Sequence, residues 1–298
     1  MGKAVFIQNP RSIYDDAYGR HYHFPKMYLS RVRGAVGDWA VIYESAKGRF
    51  GYTDIQRVLG IEPDPARADH YYAVMDLGTL LSFERVVPRA APDGVAYEKR
   101  LRGAHGAPTS GGANMAAVRA IGEDEFAAIV SFGLPGLAGD APPGFAEGPV
   151  PAIEGLPPGG LRPEILTSRK LRDPAFARMV KAAYRGRCAM SGLELRNGGG
   201  RAEVQAAHIR PVKDAGPDVV RNGLALSGTL HWMFDRGLVS VAEDHRILVS
   251  GNKVPRDVAD RLIVPDRRLR LPDDPRDHPH PEYLRFHREE VFGRGDPP

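Results

Sequence analysis

Residues 206–239 read AAHIRPVKDAGPDVVRNGLALSGTLHWMFDRGLV, and the rest of the chain is read outward from them. Residues 201–208 follow a glycine-rich turn at 198–200 and form a strand pattern that ends on His208. A loop over 209–221 carries Pro211, Gly216 and Pro217, residues that punctuate turns. Asn222-Gly223 suits a turn in its own right. After Leu224–Leu226, residues 228–236 predict a short helix with Ser227 at its N-cap. On that helix His231 and Asp235 are four apart, so one face presents both toward the same point. A hairpin over 239–242 and 246–249 follows. Upstream, 186–192 (GRCAMSG) reads as a strand–turn start. The local pattern is two strands, a loop and a helix.

N-terminal to this block, 174–185 (PAFARMVKAAYR) predicts a helix with Asp173 as N-cap and Pro174 at its first position. Phe176, Met179, Val180 and Ala183 recur at helical spacing and belong to the core. Residues 133–161 are dominated by Gly, Pro and Ala and carry no periodic apolar pattern, which marks an interdomain linker. Before it, strand patterns at 3–8, 36–46, 50–59, 70–76 and 80–87 come at short spacing, and 123–132 predicts a short helix with acids in its first turn. That arrangement predicts a small β-barrel or strongly curved sheet. Tyr14, Tyr18, Tyr22, Phe24 and Tyr28 crowd a polar, Gly- and Pro-punctuated segment. Such aromatics either fill a β-core or hold a base by stacking.

The 298 residues suffice for two domains. With 41 Lys+Arg against 37 Asp+Glu, the net charge is +4 and the pI near 9.2. This balance is compatible with a polyanionic partner without requiring one. A single cysteine, Cys188, excludes an internal disulfide framework and a Cys-rich zinc cluster. No apolar run is long enough to span a membrane, and the start of the chain lacks the apolar core of a signal peptide, so a cytoplasmic protein is expected.

AAHIRP (206–211), NGLAL (222–226) and LHWMFDRGLV (230–239), with HPHPEYLRFHREEVF at 278–292, closely resemble the HNH endonuclease family, in the variant with Ala-Ala-His-Ile at the first histidine. The resemblance covers most of 172–293 and implies a ββα-metal fold and phosphodiester hydrolysis. It implies that His208 is the general base that takes a proton from water. It implies that Asn222 holds the loop and orients that base, and that His231 and Asp235 bind a divalent metal, Mg²⁺ or Mn²⁺. Many such enzymes place an acidic ligand just before the base, where this chain has Ala207. Gln205 is near, but on a strand it shares a face with Ala207 rather than with His208. Several relatives use cysteine pairs for structural zinc, and one cysteine permits none here. Residues 162–187 carry eight Lys/Arg against two acids. Beside such a motif, Arg169, Lys170, Arg178, Lys181 and Arg210 are expected at DNA phosphates, or else form a solvated basic face.

IYDDAYGRHYHFPKMYLSRV (13–32), GDWAVIYE (37–44) and IEPDP (61–65) resemble the N-terminal module of EVE–HNH proteins, a PUA-like barrel. This resemblance covers roughly the first 130 residues and implies a reader that extrudes a modified base and holds it among aromatic rings. Tyr22, Phe24, Trp39 and Tyr43 are the expected pocket walls; Trp39 fits the barrel core equally.

The expected architecture is α+β: a modified-base-sensing PUA/EVE-like β-barrel at 1–132, a linker at 133–161 and an HNH nuclease at 162–298. The expected function is a restriction-type endonuclease acting on double-stranded DNA that carries modified cytosine. Because one such site cuts one strand, a homodimer, or a dimer assembled on DNA, is expected. A non-catalytic reader of modified nucleic acid and a nuclease directed at RNA remain open alternatives.

Overall fold

The computed structural model describes residues 2–8, 19–45, 49–109, 116–135 and 169–293, with side chains from 173 onward in the last segment. The chain divides into two compact units, residues 1–172 and 173–298. The expected linker falls almost wholly outside the described residues.

The first unit is built on a seven-stranded sheet of β1 (Lys3–Gln8), β2 (His21–Pro25), β3 (Trp39–Glu44), β4 (Gly51–Pro63), β5 (His70–Met75), β6 (Leu81–Val87) and β7 (Val118–Ile121). The order is β2-β5-β4-β3-β1-β7, with β6 also paired to β4. Only β1 and β3 run parallel. The long strand β4 pairs with β3 along one edge. Its other edge takes β6 at the start and β5 at the end, with register shifts at 52–54 and 58–60. Such irregularities bend a strand and increase its twist. The expected closed barrel is not found: β2 and β7 end the strand order and do not pair with each other among the described residues. A side chain works at that seam instead, where the Tyr22 hydroxyl lies 3.0 Å from both the Ile7 and Ala117 carbonyls.

Strand alternation sorts the first unit's core. Ala4, Phe6, Tyr22, Phe24, Ala40, Ile42, Val58 and Ala73 pack with Tyr28, Val32 and Ala35 around helix α1 (Leu29–Ala35). On the opposite face, helix α2 (Glu123–Gly133) buries Phe126, Ile129 and Val130. Three acids open α2, as the helix dipole favours, and Glu125 accepts from the Gly122 N–H at 2.6 Å. Gly37 takes φ +80° in the turn before β3, a conformation a side chain resists, and there Asp38 accepts from the Trp39 N–H. Glu98 and Arg119, 0% and 1% exposed, pair through two 2.5 Å bonds, and the Tyr52 hydroxyl donates to the same carboxylate. That charge pair ties the long connection after β6 to β7.

Helix α3 (Arg169–Ala183) runs across the start of the second unit, which continues with β8 (Gln205–His208), β9 (Gly223–Leu226), helix α4 (Gly228–Asp235) and the hairpin β10 (Val239–Val241) and β11 (Ile247–Val249). It ends with α5 (Arg256–Leu262) and α6 (Pro281–Glu290). Helix α3 starts before Asp173, so Pro174 lies inside it instead of at its first position. Phe176, Met179 and Val180 are buried as their spacing predicts. Residues 186–192 form turns, not a strand. No helix among the described residues is long and apolar enough to cross a membrane.

Candidate active site

Strands β8 and β9 pair antiparallel, placing His208 opposite Gly223. A β-carbon on Gly223 would meet Val180 at 2.3 Å and Phe176 at 3.0 Å. Gly223 has φ −127° at its place after the Val220–Asn222 helical turn. The glycine of Asn222-Gly223 is therefore needed for close approach of α3, not for a left-handed turn.

That approach sets the His208 surroundings. The ring of Phe176 stacks on the His208 imidazole at 3.8 Å and 10°. His208 Nε2 lies 2.8 Å from Oδ1 of Asp218, whose side chain is almost fully buried. A carboxylate only accepts, so it draws the ring proton to Nε2 and leaves Nδ1 with its lone pair. Asn222 is fully buried. Its amide nitrogen donates to the Arg210 and Pro217 carbonyls, and its oxygen accepts from the Arg210 N–H, all at 2.8–2.9 Å. These bonds staple the loop that carries Asp218.

Helix α4 packs on β8. Ser227 occupies its N-cap position without a side-chain capping bond. Glu203 instead accepts from the Gly228 N–H at 2.9 Å. The Ser227 N–H points to Cys188 Sγ at 3.3 Å, and that sulfur also receives the Ser191 N–H.

His231 Nδ1 lies 2.8 Å from the Gln205 amide oxygen, and its Nε2 is 3.4 Å from Oδ2 of Asp235. The amide oxygen is an acceptor, so Nδ1 carries the proton. Nε2 is then the nitrogen turned to the Asp235 carboxylate. Two ligand atoms on one small divalent cation, each at about 2.1 Å, stand roughly 3 to 3.5 Å apart, which this pair matches. Orientation of a metal-binding histidine through its other nitrogen is the usual supporting arrangement. The donor set therefore fits two ligands of a divalent ion. No group of three or more His, Cys, Asp or Glu side chains converges on a metal position among the described residues. Ala207, fully buried, offers no ligand.

The family model described as HNH endonuclease matches residues 188–242. Those residues are an HNH endonuclease domain. No curated protein matches the chain. Two solved structures are similar over part of it. One, described as a modification-dependent TagI restriction endonuclease, is 27% identical with TM-score 0.32, covering 39% of this chain and 37% of its own. The other, described as a type IV phosphorothioation-dependent restriction endonuclease, ScoMcrA, is 11% identical with TM-score 0.21, covering 77% of this chain and 46% of its own. The chain thus matches less than half the length of either structure.

Within the HNH domain two partners escaped the sequence reading. Asp218 sits in a loop whose turn residues drew attention away from its carboxylate; an acid between the two site histidines was the available signal. Gln205 does share a face with Ala207, but α4 covers that face and brings His231 to it. Arg210 is engaged: Nε donates to the Asp214 carbonyl, Nη1 is 3.7 Å from Glu282, and the guanidinium lies over Phe286. Arg178 is exposed and Lys181 half-buried; the Arg169 and Lys170 side chains are outside the description.

The expected base pocket is distributed differently. Tyr22 and Phe24 lie in the core around α1, while Trp39 and Tyr43 alternate with Ala40 and Ile42 along β3 and so face the other way. All four are buried, at 5% exposure or less. The structure does not bring them together as one open pocket. Tyr43 OH and Trp39 Nε1 are buried with no hydrogen-bond partner among the described residues.

Proposed function

We propose that the chain is a metal-dependent, restriction-type DNA endonuclease, with its first unit an EVE-like reader of modified cytosine and its HNH domain the cutting site. The observation that carries the cutting role is the pair of oppositely prepared imidazoles. His208 is held on Asp218 with Nδ1 left as a base, and His231 is held on Gln205 with Nε2 turned to Asp235. His208 Nδ1 takes the proton of the attacking water, and Asp218 balances the positive charge the ring then gains. Phe176 and the Asn222-stapled loop keep that ring from turning. His231 and Asp235 would hold the divalent cation, Mg²⁺ or Mn²⁺, which supplies charge compensation at the phosphate and the leaving 3′-oxygen. The products are 5′-phosphate and 3′-hydroxyl ends. One such site cuts one strand, so a double-strand break calls for two copies.

The reader role rests on the aromatic run and Gly-Asp-Trp turn of the first unit. Tyr43 is the member of the expected pocket set that best supports it, since its hydroxyl is unpartnered and its ring meets the exposed Phe50 edge-on.

The test is digestion of otherwise identical DNAs carrying cytosine, 5-methylcytosine, 5-hydroxymethylcytosine, glucosylated cytosine or N6-methyladenine, with Mg²⁺ or Mn²⁺ and a matched RNA. Cleavage of cytosine-modified DNA above all others is expected. Equal cutting of every DNA removes the reader role, and metal-supported binding without any cutting removes the nuclease.

A further inference from the structure

Helix α4 commits five of its eight positions. Leu230, Met233 and Phe234 are buried, and His231 and Asp235 form the proposed metal pair. Trp232 is left with 54% of its surface exposed. A large indole in water beside a catalytic pair is an unusual use of the residue type. One turn on, the Arg236 guanidinium lies 5.2 Å over that indole.

Arg185, Arg196, Arg246, Arg267, Arg270 and Arg276 each sit on an acid, respectively Asp273, Glu194, Asp244, Asp260, Asp266 and Asp274. Arg236 has no carboxylate partner among the described residues; its guanidinium lies over the ring instead. Stacking fixes the plane of a guanidinium while leaving its N–H groups at the rim, the geometry that takes a phosphate in two bonds. Indoles stack on sugars and bases of any sequence.

We propose that Trp232 and Arg236 form a clamp on the DNA strand next to the scissile phosphate: the indole packs on a deoxyribose and its base, and the guanidinium takes a flanking phosphate. Trp232 and Arg236 are four apart and share one side of the helix end, adjoining the side that carries His231 and Asp235. The clamp rests on the nuclease reading, which it extends from the reacting phosphate to its neighbours.

The chain contains two tryptophans, and Trp39 is only 1% exposed against 54% for Trp232. Iodide in the medium therefore quenches Trp232 selectively. In EDTA, which prevents cutting, a DNA duplex is titrated into the full chain while anisotropy of a dye on the DNA reports binding. The expected result is loss of iodide quenching over the same DNA concentrations that raise the anisotropy. Trp232→Phe should keep most nicking activity, and Trp232→Ala should lower kcat/KM about tenfold, in line with one lost stacking contact, at unchanged divalent-ion affinity. Full iodide access at saturating DNA overturns the clamp. So does shielding that grows with protein concentration in the absence of DNA, which assigns the indole to contact between copies. Absence of any anisotropy change with modified or unmodified DNA overturns the nuclease reading itself and the clamp with it.

Discussion

The second unit contains two histidines stacked on phenylalanines in almost the same way. His208 lies on Phe176 at 3.8 Å and 10°, and His287 on Phe234 at 3.7 Å and 11°. What surrounds the two nitrogens separates them. His208 is partly open and has a carboxylate on Nε2, leaving Nδ1 for chemistry. His287 is buried at 2% exposure. Its Nε2 donates to the Phe234 carbonyl at 3.1 Å, and the Ser240 hydroxyl donates to its Nδ1 at 2.8 Å. Both its nitrogens are used up by neutral partners, and burial pushes its pKa from the ordinary 6.5 down to about 4. In the proposed site the same ring stack would serve a base, whereas at His287 it serves a pin between α4, β10 and α6. A stack orients an imidazole; the partners and the water access decide what it does.

Four measurements break or sharpen that contrast. The largest effect belongs to His208→Ala, for which plasmid nicking should fall ~10²–10⁴-fold with the melting temperature nearly unchanged. A variant that still cuts at near wild-type rate would remove His208 from the chemistry. Next comes Asp218→Asn, expected to lower kcat about 10²-fold with little change in KM, because an amide no longer dictates which ring nitrogen carries the proton. Loss confined to KM would make Asp218 a substrate contact instead.

Gln205→Ala should weaken Mn²⁺ binding roughly 10–100-fold by freeing the His231 ring, whereas His208→Ala leaves it alone. Isothermal titration with the metal separates the two. Equal affinities in both variants would take Gln205 out of the metal site.

The smallest effect on catalysis is expected at His287, where the change appears in stability. Its folded form holds the ring neutral, so the unfolded chain binds the proton first as the pH falls. The contribution is complete above pH 6.5 and is lost progressively toward pH 4. A shift of that size corresponds to roughly 3 kcal/mol between those limits. Urea unfolding of wild type and His287→Ala across this range should show the slope in the first and a flatter line in the second. Parallel slopes would mean that another group titrates.

Much of the HNH domain was legible because its elements are local. The strand ending at His208, the helix bearing His231 and Asp235, and the hairpin after it are each set by a few neighbouring residues whose periodicity shows directly. The apolar spacing of Phe176, Met179 and Val180 also predicted their burial. Ends and turns were less readable. Pro174 suggested a helix start, but the helix begins earlier; Asn222-Gly223 suggested a turn, but Gly223 is there to admit Val180 and Phe176.

In the first unit five of the seven strands were visible from alternation, but β2 and β7 were not, and neither was closure. Whether β2 meets β7 depends on strand bends within β4, and a bulge has no composition of its own. The aromatic crowd at 14–28 looked the same whether it faced a core or a ligand, and Tyr22 and Phe24 turned inward.

By itself the sequence determined the kinds of groups present and their local placement: two imidazoles, an amide and a carboxylate on a strand end, a turn and a helix, with Ala207 in place of an acid. Only the tertiary structure decided the second partner of each group. It put Asp218 on His208, Gln205 on His231, Glu98 on Arg119 and Ser240 on His287, across separations from 10 to 47 residues. The physical reason is that alternation and helical spacing describe a residue's own element. A hydrogen bond to a distant side chain depends on which faces of two elements come together, and packing alone settles that.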